Sequence, residues 1–466
     1  MAPSLPWTAE GGIVSDLPHP VELSDRVIDS GVAEPPHNRV IDTLTEVEDD
    51  VAIVESFSHC WALRTDEGLV CVDSSGTGTG VDVVAALRGW STDPVHTLVY
   101  THGHLDHVGG SGAFVADAAD RKHPRPTFVS HEAVPVRFDR YRLTDGWNRI
   151  INRRQFGGIR PNIGVGTQRM GVGGLGAVFM PDDVAQPDIT YRESLDLEVG
   201  GRRLELRHAR GETDDHTWIW DAERRTVYAG DFVCWIFPNA GNPQKVQRYP
   251  VEWAAALREM LAVGADRVYP AHGLPIVGRR RVETVLGEMA EALEYLADAT
   301  LAMMNDGARL DEILHTVTVP DHLVGRPWIE PLYDEPEFVV RNLYRLWGGW
   351  WDGDPARLKP AADAAVAAEV VALAGSVEAL LDRAEELAEE GDLRLACHMV
   401  EMAVQAAPDH EGAHRTRARV YWMRRAAERS LMSKGIFAAA ARESEATYGE
   451  ETPRDRMRDA LRRSLG

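Results

Sequence analysis

The 466-residue sequence contains only four cysteines, Cys60, Cys71, Cys234 and Cys397, and none are spaced Cys-x-x-Cys. That argues against a disulfide framework and a thiolate zinc site, and it fits a reducing compartment. Basic residues are outnumbered: 50 Lys and Arg stand against 73 Asp and Glu, a formal charge of -23. Nucleic acid and anionic membranes both call for basic patches, so neither is expected as a partner. No apolar run reaches the roughly 18 residues needed to span a bilayer. The opening MAPSLPWTAEGGIVSDLPHP lacks a basic stretch followed by an apolar one, and a soluble, cytoplasmic protein is the expectation. The length suffices for two or three domains around a large core.

What the sequence does hold is a concentration of metal-ligand side chains. Within Thr101-His102-Gly103-His104-Leu105-Asp106-His107-Val108-Gly109-Gly110, three imidazoles and a carboxylate fall in six residues. The stretch follows the β-branched run Val95 to Tyr100, which reads as a buried strand, and Gly109-Gly110 lets the chain turn into the next element. The cluster therefore sits at the C-terminal end of a strand, where α/β proteins place their sites. His102 and His104 can point one way while Asp106 and His107 project to a neighbouring position, which predicts a binuclear hydrolytic centre. A lone His-x-His is more often a solvated loop, but the full His-x-His-x-Asp-His is far less so.

Three later strand ends supply further donors. Asp231 follows TVYAG and can bridge two cations with its two oxygens, and His272 follows RVYPA and can close the second position. In His208-Ala209-Arg210-Gly211-Glu212-Thr213-Asp214-Asp215-His216, the completing ligand is Glu212 or His216, with His208 a poorer candidate. Spacing from the strand end favours Glu212; His216 opens the strand HTWIW and suits a supporting place.

The rest of the chain divides by pattern. Residues 1–45 are rich in Pro and polar residues and read as an irregular N-terminal arm. Residues 46–295 alternate strand and helix signals, with a glycine-rich insertion over about 137–188 that lacks a phosphate-loop ending and reads as a flexible lid. Residues 296–440 are helical, with an Ala-, Glu- and Arg-rich part resembling a tetratricopeptide-like hairpin whose apolar face predicts a homodimer. Residues 441–466 form a C-terminal tail.

The ordered ligand set resembles the metallo-β-lactamase superfamily and, within it, the type III alkylsulfatases with their alkylsulfatase dimerisation domain. The likeness is carried by THGHLDHVGG, by Glu212 where most superfamily members have a third His, by Asn152-Arg153-Arg154-Gln155-Phe156-Gly157, and by Tyr344-Arg345 with Gly349-Trp350-Trp351-Asp352-Gly353-Asp354-Pro355-Ala356. It implies an α/β fold: a metallo-β-lactamase αββα sandwich followed by an all-α dimerisation domain. By position it implies that His102, His104 and Glu212 hold one zinc, that Asp106, His107 and His272 hold the other, and that Asp231 bridges them. Asp106 and Asp231 then take the catalytic roles. The sequence departs from the family pattern at Asp231, where the alkylsulfatases have Glu, at Leu274, where they have Trp, and at Phe156, where they have Tyr. Their Arg-containing sulfate segment is matched only loosely by Gln244-Lys245-Val246-Gln247-Arg248.

The expected activity is hydrolysis of a small or branched alkyl sulfate ester by hydroxide activated between two Zn²⁺ ions. Small and branched esters are preferred because no counterpart of the family's C-terminal lipid-binding domain precedes Gly466. The substrate is thus a small anionic or ester molecule, and Arg153, Arg154, Lys245 and Arg248 are the candidates for its sulfate group. Trp147, Phe156, Trp235 and Phe237 are candidates for lining an organic pocket, although such residues more often pack in cores. Carboxylate-rich ligation leaves iron and manganese open beside zinc. The alternatives are hydrolysis of a lactone, thioester, amide or ether by the same centre, and a non-catalytic helical interaction scaffold.

Overall fold

In the computed structural model, residues 17–34, 38–156 and 178–449 are described. Two sheets form the catalytic-side core. The first runs β1 (Thr43–Glu48), β2 (Val51–Glu55), β3 (Cys60–Thr65), β4 (Gly68–Val72), β5 (Val95–Val99), β6 (Thr127–His131), β7 (Ile189–Tyr191) in spatial order. Its first four strands pair antiparallel, and β4 to β7 pair in parallel. The second holds β8 (Ser194–Val199), β9 (Arg202–His208), β10 (Thr217–Asp221), β11 (Thr226–Gly230), β12 (Arg267–Pro270) and β13 (Ile276–Val277). Gly200 and Gly201, both at positive φ, make the tight turn between β8 and β9.

Side-chain alternation decides which layer each strand covers. Val51, Ile53, Trp61, Leu63, Val70 and Val99 face Leu204, Leu206, Ile219, Tyr228 and Tyr269 between the sheets. The opposite face of the first sheet, including Val54, Ala62, Cys71 and Leu98, packs on Val83, Leu87, Phe114 and Phe138 of the helices Gly80–Trp90, Ser111–Arg121 and Ala133–Leu143. The outer face of the second sheet, with Trp218, Val227 and Val268, is covered by the helices Pro250–Ala262 and Arg279–Asn305. This αββα layering is the expected one, and it buries both faces of the central strands while most of β7 and one face of β8 stay exposed.

The N-terminal arm differs from its irregular reading. Pro20–Ser30 is a helix: Pro20 occupies its first turn, His19 caps it by accepting from Val21 N, and Gly31 ends it in the left-handed conformation. Leu23, Val27 and Ile28 bury its apolar stripe in the core outside the second sheet. Buried Arg39 then forks onto Glu55, with Nε 2.7 Å from Oε1, and fixes the following segment to β2. Of the glycine-rich insertion, residues 157–177 lie outside the described residues; its leading part is helical, in Ala133–Leu143 and Asp145–Gln155.

From residue 310 onward the described chain is helical. Helices Val377–Glu390, Leu393–Ala406, Glu411–Ala427 and Leu431–Thr447 pack through Ala384, Leu387, Ala396, Val400, Val420 and Ala441. Ser376, Asp392 and Ser430 cap three of them. Leu431–Thr447 continues past residue 440, and residues 450–466 lie outside the described chain. Its Gly435 lies so close to helix Asp145–Gln155 that a Cβ there would be 1.8 Å from the Gln155 carbonyl oxygen. The helical segment is thereby pressed onto the sandwich. No single described helix is long and apolar enough to cross a membrane.

Candidate metal centre

The centre forms where the C-terminal ends of β5, β9, β11 and β12 converge. After β5, His104 stands at the start of the short helix Leu105–Val108, so the chain turns immediately and projects Asp106 and His107 away from His102 and His104. Glu212 follows β9, Asp231 follows β11 directly, and His272 follows β12. Two groups of possible metal donors result: His102, His104, Glu212 and Asp231, and beside them Asp106, His107 and His272, with the ligand atoms of each group within 4.8 Å of one another.

The separations between groups are short. His102 Nε2 is 2.9 Å from His104 Nδ1, and Glu212 Oε1 is 3.6 Å from the latter atom. Asp231 faces both ways: Oδ2 is 3.9 Å from His102 Nε2, whereas Oδ1 is 3.3 Å from His107 Nε2 and 3.6 Å from His272 Nε2. Asp106 Oδ2 is 3.4 Å from His272 Nε2. Among the described residues, His107 Nε2 and Asp231 Oδ1 are buried without a hydrogen-bond partner. Buried polar atoms are rarely left so unless an ion or water completes them. The donor set therefore fits two adjacent cations.

The electrostatics agree with that chemistry. Burial holds His102 and His104 well below the usual histidine range, and neighbouring imidazoles and Arg137 push the same way. Both are therefore neutral, the form that binds metal. Burial also opposes protonation of His107, but the carboxylates of Asp231, Asp106 and Asp73 outweigh it and hold its pKa well above the usual range. For Asp231, burial is outweighed by His107 and His272, and the pKa lies well below that of an ordinary carboxylate. Burial pushes Glu212 well up, against the pull of Arg248.

A buried outer layer orients these ligands. Asp73, held at φ 62°, accepts from His107 Nδ1 at 2.8 Å and from Thr101 N and Oγ1 at 2.8 and 2.7 Å. This bond leaves His107 Nε2 free to face the cluster. Asp73→Asn would present an amide that can donate where the carboxylate accepts. Metal affinity is expected to fall by roughly 10- to 100-fold, which chelator competition would measure.

The remaining candidates take different places. His216 lies outside both donor groups: its Nε2 accepts from Asp231 N at 3.2 Å and its ring stacks on Phe232. His208 is stacked on His131, 3.7 Å between ring centres. Arg248 is buried against Glu212, donating from Nη1 to the Glu212 backbone oxygen and lying 3.2 Å from Oε1. Lys245 donates to Asn152 Oδ1 at 3.2 Å. Its pKa is pushed down to about 7, first by burial and then by Arg248, while Glu212 and Asp106 oppose the shift. Arg153 and Arg154 are exposed, and Arg154 lies over the exposed Trp147 ring at 5.8 Å. Trp235 and Phe237 pack fully in the core, so they do not line a pocket; Phe156 is half-buried.

Several contributors have no marked signal in the sequence. Asn239 donates to Glu212 Oε1, and Gln155 donates to the Tyr333 hydroxyl, whose pKa burial and then Glu212 and Asp106 push upward. Tyr333 belongs to the helical side. From the same side Asp334 accepts from Gly241 N at 2.6 Å and Asn242 N at 3.0 Å, and Asn342 Nδ2 donates to the backbone oxygens of Ala240 and Arg248, each at 2.9 Å. These bonds fix the segment that carries Asn239, Lys245 and Arg248.

Residues 53–272 match the metallo-beta-lactamase superfamily, and residues 309–447 match the alkyl sulfatase dimerisation family. Residues 53–272 thus form a metallo-beta-lactamase superfamily domain. With its donor cluster, membership implies dependence on a divalent metal. The chain is 29% identical over 366 residues to a linear primary-alkylsulfatase from Pseudomonas sp., covering 77% of this chain and 69% of that one. It is 25% identical over 335 residues to another Pseudomonas linear primary-alkylsulfatase, covering 70% of this chain and 49% of the relative. The chain thus spans between about half and about two thirds of these curated relatives. The solved stereoselective inverting sec-alkylsulfatase Pisa1 from Pseudomonas sp. shares its fold, with a TM-score of 0.75 at 22% identity over 88% of this chain and 66% of that chain.

Proposed function

We propose that this chain is a homodimeric, binuclear metal-dependent hydrolase that cleaves alkyl sulfate esters. The carrying observation is the pair of donor groups sharing Asp231, with Glu212 in the first and Lys245 beside them. The alkylsulfatase relatives point to the same ester class, and the dimerisation match to two copies. His102, His104, Glu212 and Asp231 would hold one ion, and Asp106, His107, His272 and Asp231 the other. Four imidazoles and three carboxylates suit two Zn²⁺ per chain, and elemental analysis after purification without added metal would distinguish zinc from iron or manganese. When bound, the ions supply Lewis acidity and acidify a water molecule.

The chain's own residues do the rest. Asp231 sets the spacing of the two positions, and Asp106, the more exposed carboxylate, accepts a hydrogen bond from the attacking water through Oδ2. Lys245 Nζ, held by Asn152, donates to a sulfate oxygen. Arg248 orients Glu212, and Arg153 and Arg154 act farther out, where they draw the anion toward the opening. Losing one charged hydrogen bond costs about 2 kcal/mol, roughly 30-fold in binding. Lys245→Met is therefore expected to raise KM for sulfate esters by about that factor, with a much smaller change in kcat.

Sulfate release from a panel of alkyl sulfates graded in length and branching tests the reading. Turnover confined to lactones, thioesters, amides or ethers would assign the centre to another bond. A metal-replete protein inert on every class would make the helical part a scaffold.

A further inference from the structure

Arg137 lies in the helix Ala133–Leu143, and its side chain is only 2% exposed. Its guanidinium forks onto Asp215, Nε to Oδ2 at 2.6 Å and Nη2 to Oδ1 at 3.0 Å, and Nη2 also donates to Asp214. Asp215 is fully buried. The same Asp215 Oδ2 accepts the backbone N–H of Gly103 at 3.1 Å, and Gly103 separates His102 from His104. The packing there is so close that a Cβ on Gly103 would lie 2.8 Å from Arg137 Cδ and 2.9 Å from Asp215 Oδ2. Thr217 N donates to Thr101 O at 2.7 Å, so the chain after Asp215 is sewn directly to the start of the His turn.

Burying such an ion pair is poor evidence for stability, because desolvation offsets most of the Coulomb gain. Its geometry is informative instead. Asp215 joins two elements, its carboxylate holding the turn that carries His102 and His104 while its backbone lies in the loop that carries Glu212, and Arg137 fixes that carboxylate from helix Ala133–Leu143. These are three donors of the first group, whereas among the described residues no hydrogen bond joins Arg137 or Asp215 to Asp106, His107 or His272. We propose that Arg137 and Asp215 are positioning residues that set the distance between the His102-Gly103-His104 turn and Glu212, and so tune one of the two metal positions selectively. The inference rests on the ligand set proposed above.

The test compares Arg137→Lys with the unaltered holoenzyme by chelator competition, following the release of each zinc equivalent, together with thermal unfolding. Lysine keeps the charge but cannot fork. The expected result is one equivalent weakened by roughly 10- to 100-fold, the other within about twofold, and a nearly unchanged unfolding temperature. Two equivalents held as in the unaltered protein would overturn the proposal, as would equal weakening of both. Should Arg137→Lys fail to fold, Asp215→Asn is read by the same criteria, since its amide oxygen can still accept from Gly103 while the charge is gone. Glu212→Ala is run alongside: if it keeps both equivalents, the ligand set is at fault and not the positioning role.

Discussion

Replacing Asp231 with alanine is expected to reduce hydrolysis roughly a thousandfold or more, about 4 kcal/mol in the barrier, and to leave less than two equivalents of metal bound. Asp231 faces both donor groups: Oδ1 looks toward His107 and His272, and Oδ2 toward His102. Its loss also removes the carboxylate oxygen that stands 3.3 Å from His107 Nε2. Asp231→Glu is the informative companion, because it keeps the charge and adds a methylene. Activity retained by glutamate and lost by alanine would assign the role to the carboxylate; metal content and activity unchanged in the alanine variant would remove Asp231 from the centre. Metal analysis and initial rates on one preparation decide between them.

The second large effect is expected at Glu212. Glu212→Ala should lose one metal equivalent and lower kcat/KM by about two to three orders of magnitude. The carboxylate is buried and held by Asn239 and Arg248, so removing it also leaves the Arg248 charge with only the backbone oxygen of residue 212 among these two contacts. His216→Ala is the control. His216 sits outside the donor groups and receives Asp231 N, so it should lower activity while keeping both equivalents. Retention of both ions in Glu212→Ala with loss in His216→Ala would exchange their roles.

The layered fold and the donor cluster were legible because both follow from local rules. Buried strands announce themselves as short β-branched runs, and donors placed just beyond such runs converge once parallel strands align their ends, as at His102, Asp231 and His272. Helix Pro20–Ser30 was obscured by flanking prolines and polar residues, although Leu23, Val27 and Ile28 carry its stripe. The sulfate-group reading met a different difficulty. A row of arginines gives charge without direction, and burial faced Asn152 inward while leaving Arg153 and Arg154 exposed. Asp334, Asn342 and Arg137 act through contacts across long stretches of chain, and no periodicity marks a side chain whose partner lies 78 to 102 residues away.

The layout of the donors has a bearing on how the fold can change. His102, His104, Asp106 and His107 hang from one sheet of the sandwich, and Glu212, Asp231 and His272 from the other. The centre is a rivet through two plates. Each donor group draws on both sheets, so substitutions that slide one sheet over the other, however tolerable to the apolar layer between them, also change the donor spacing within each group. Drift in the interior is therefore policed by the chemistry at its edge.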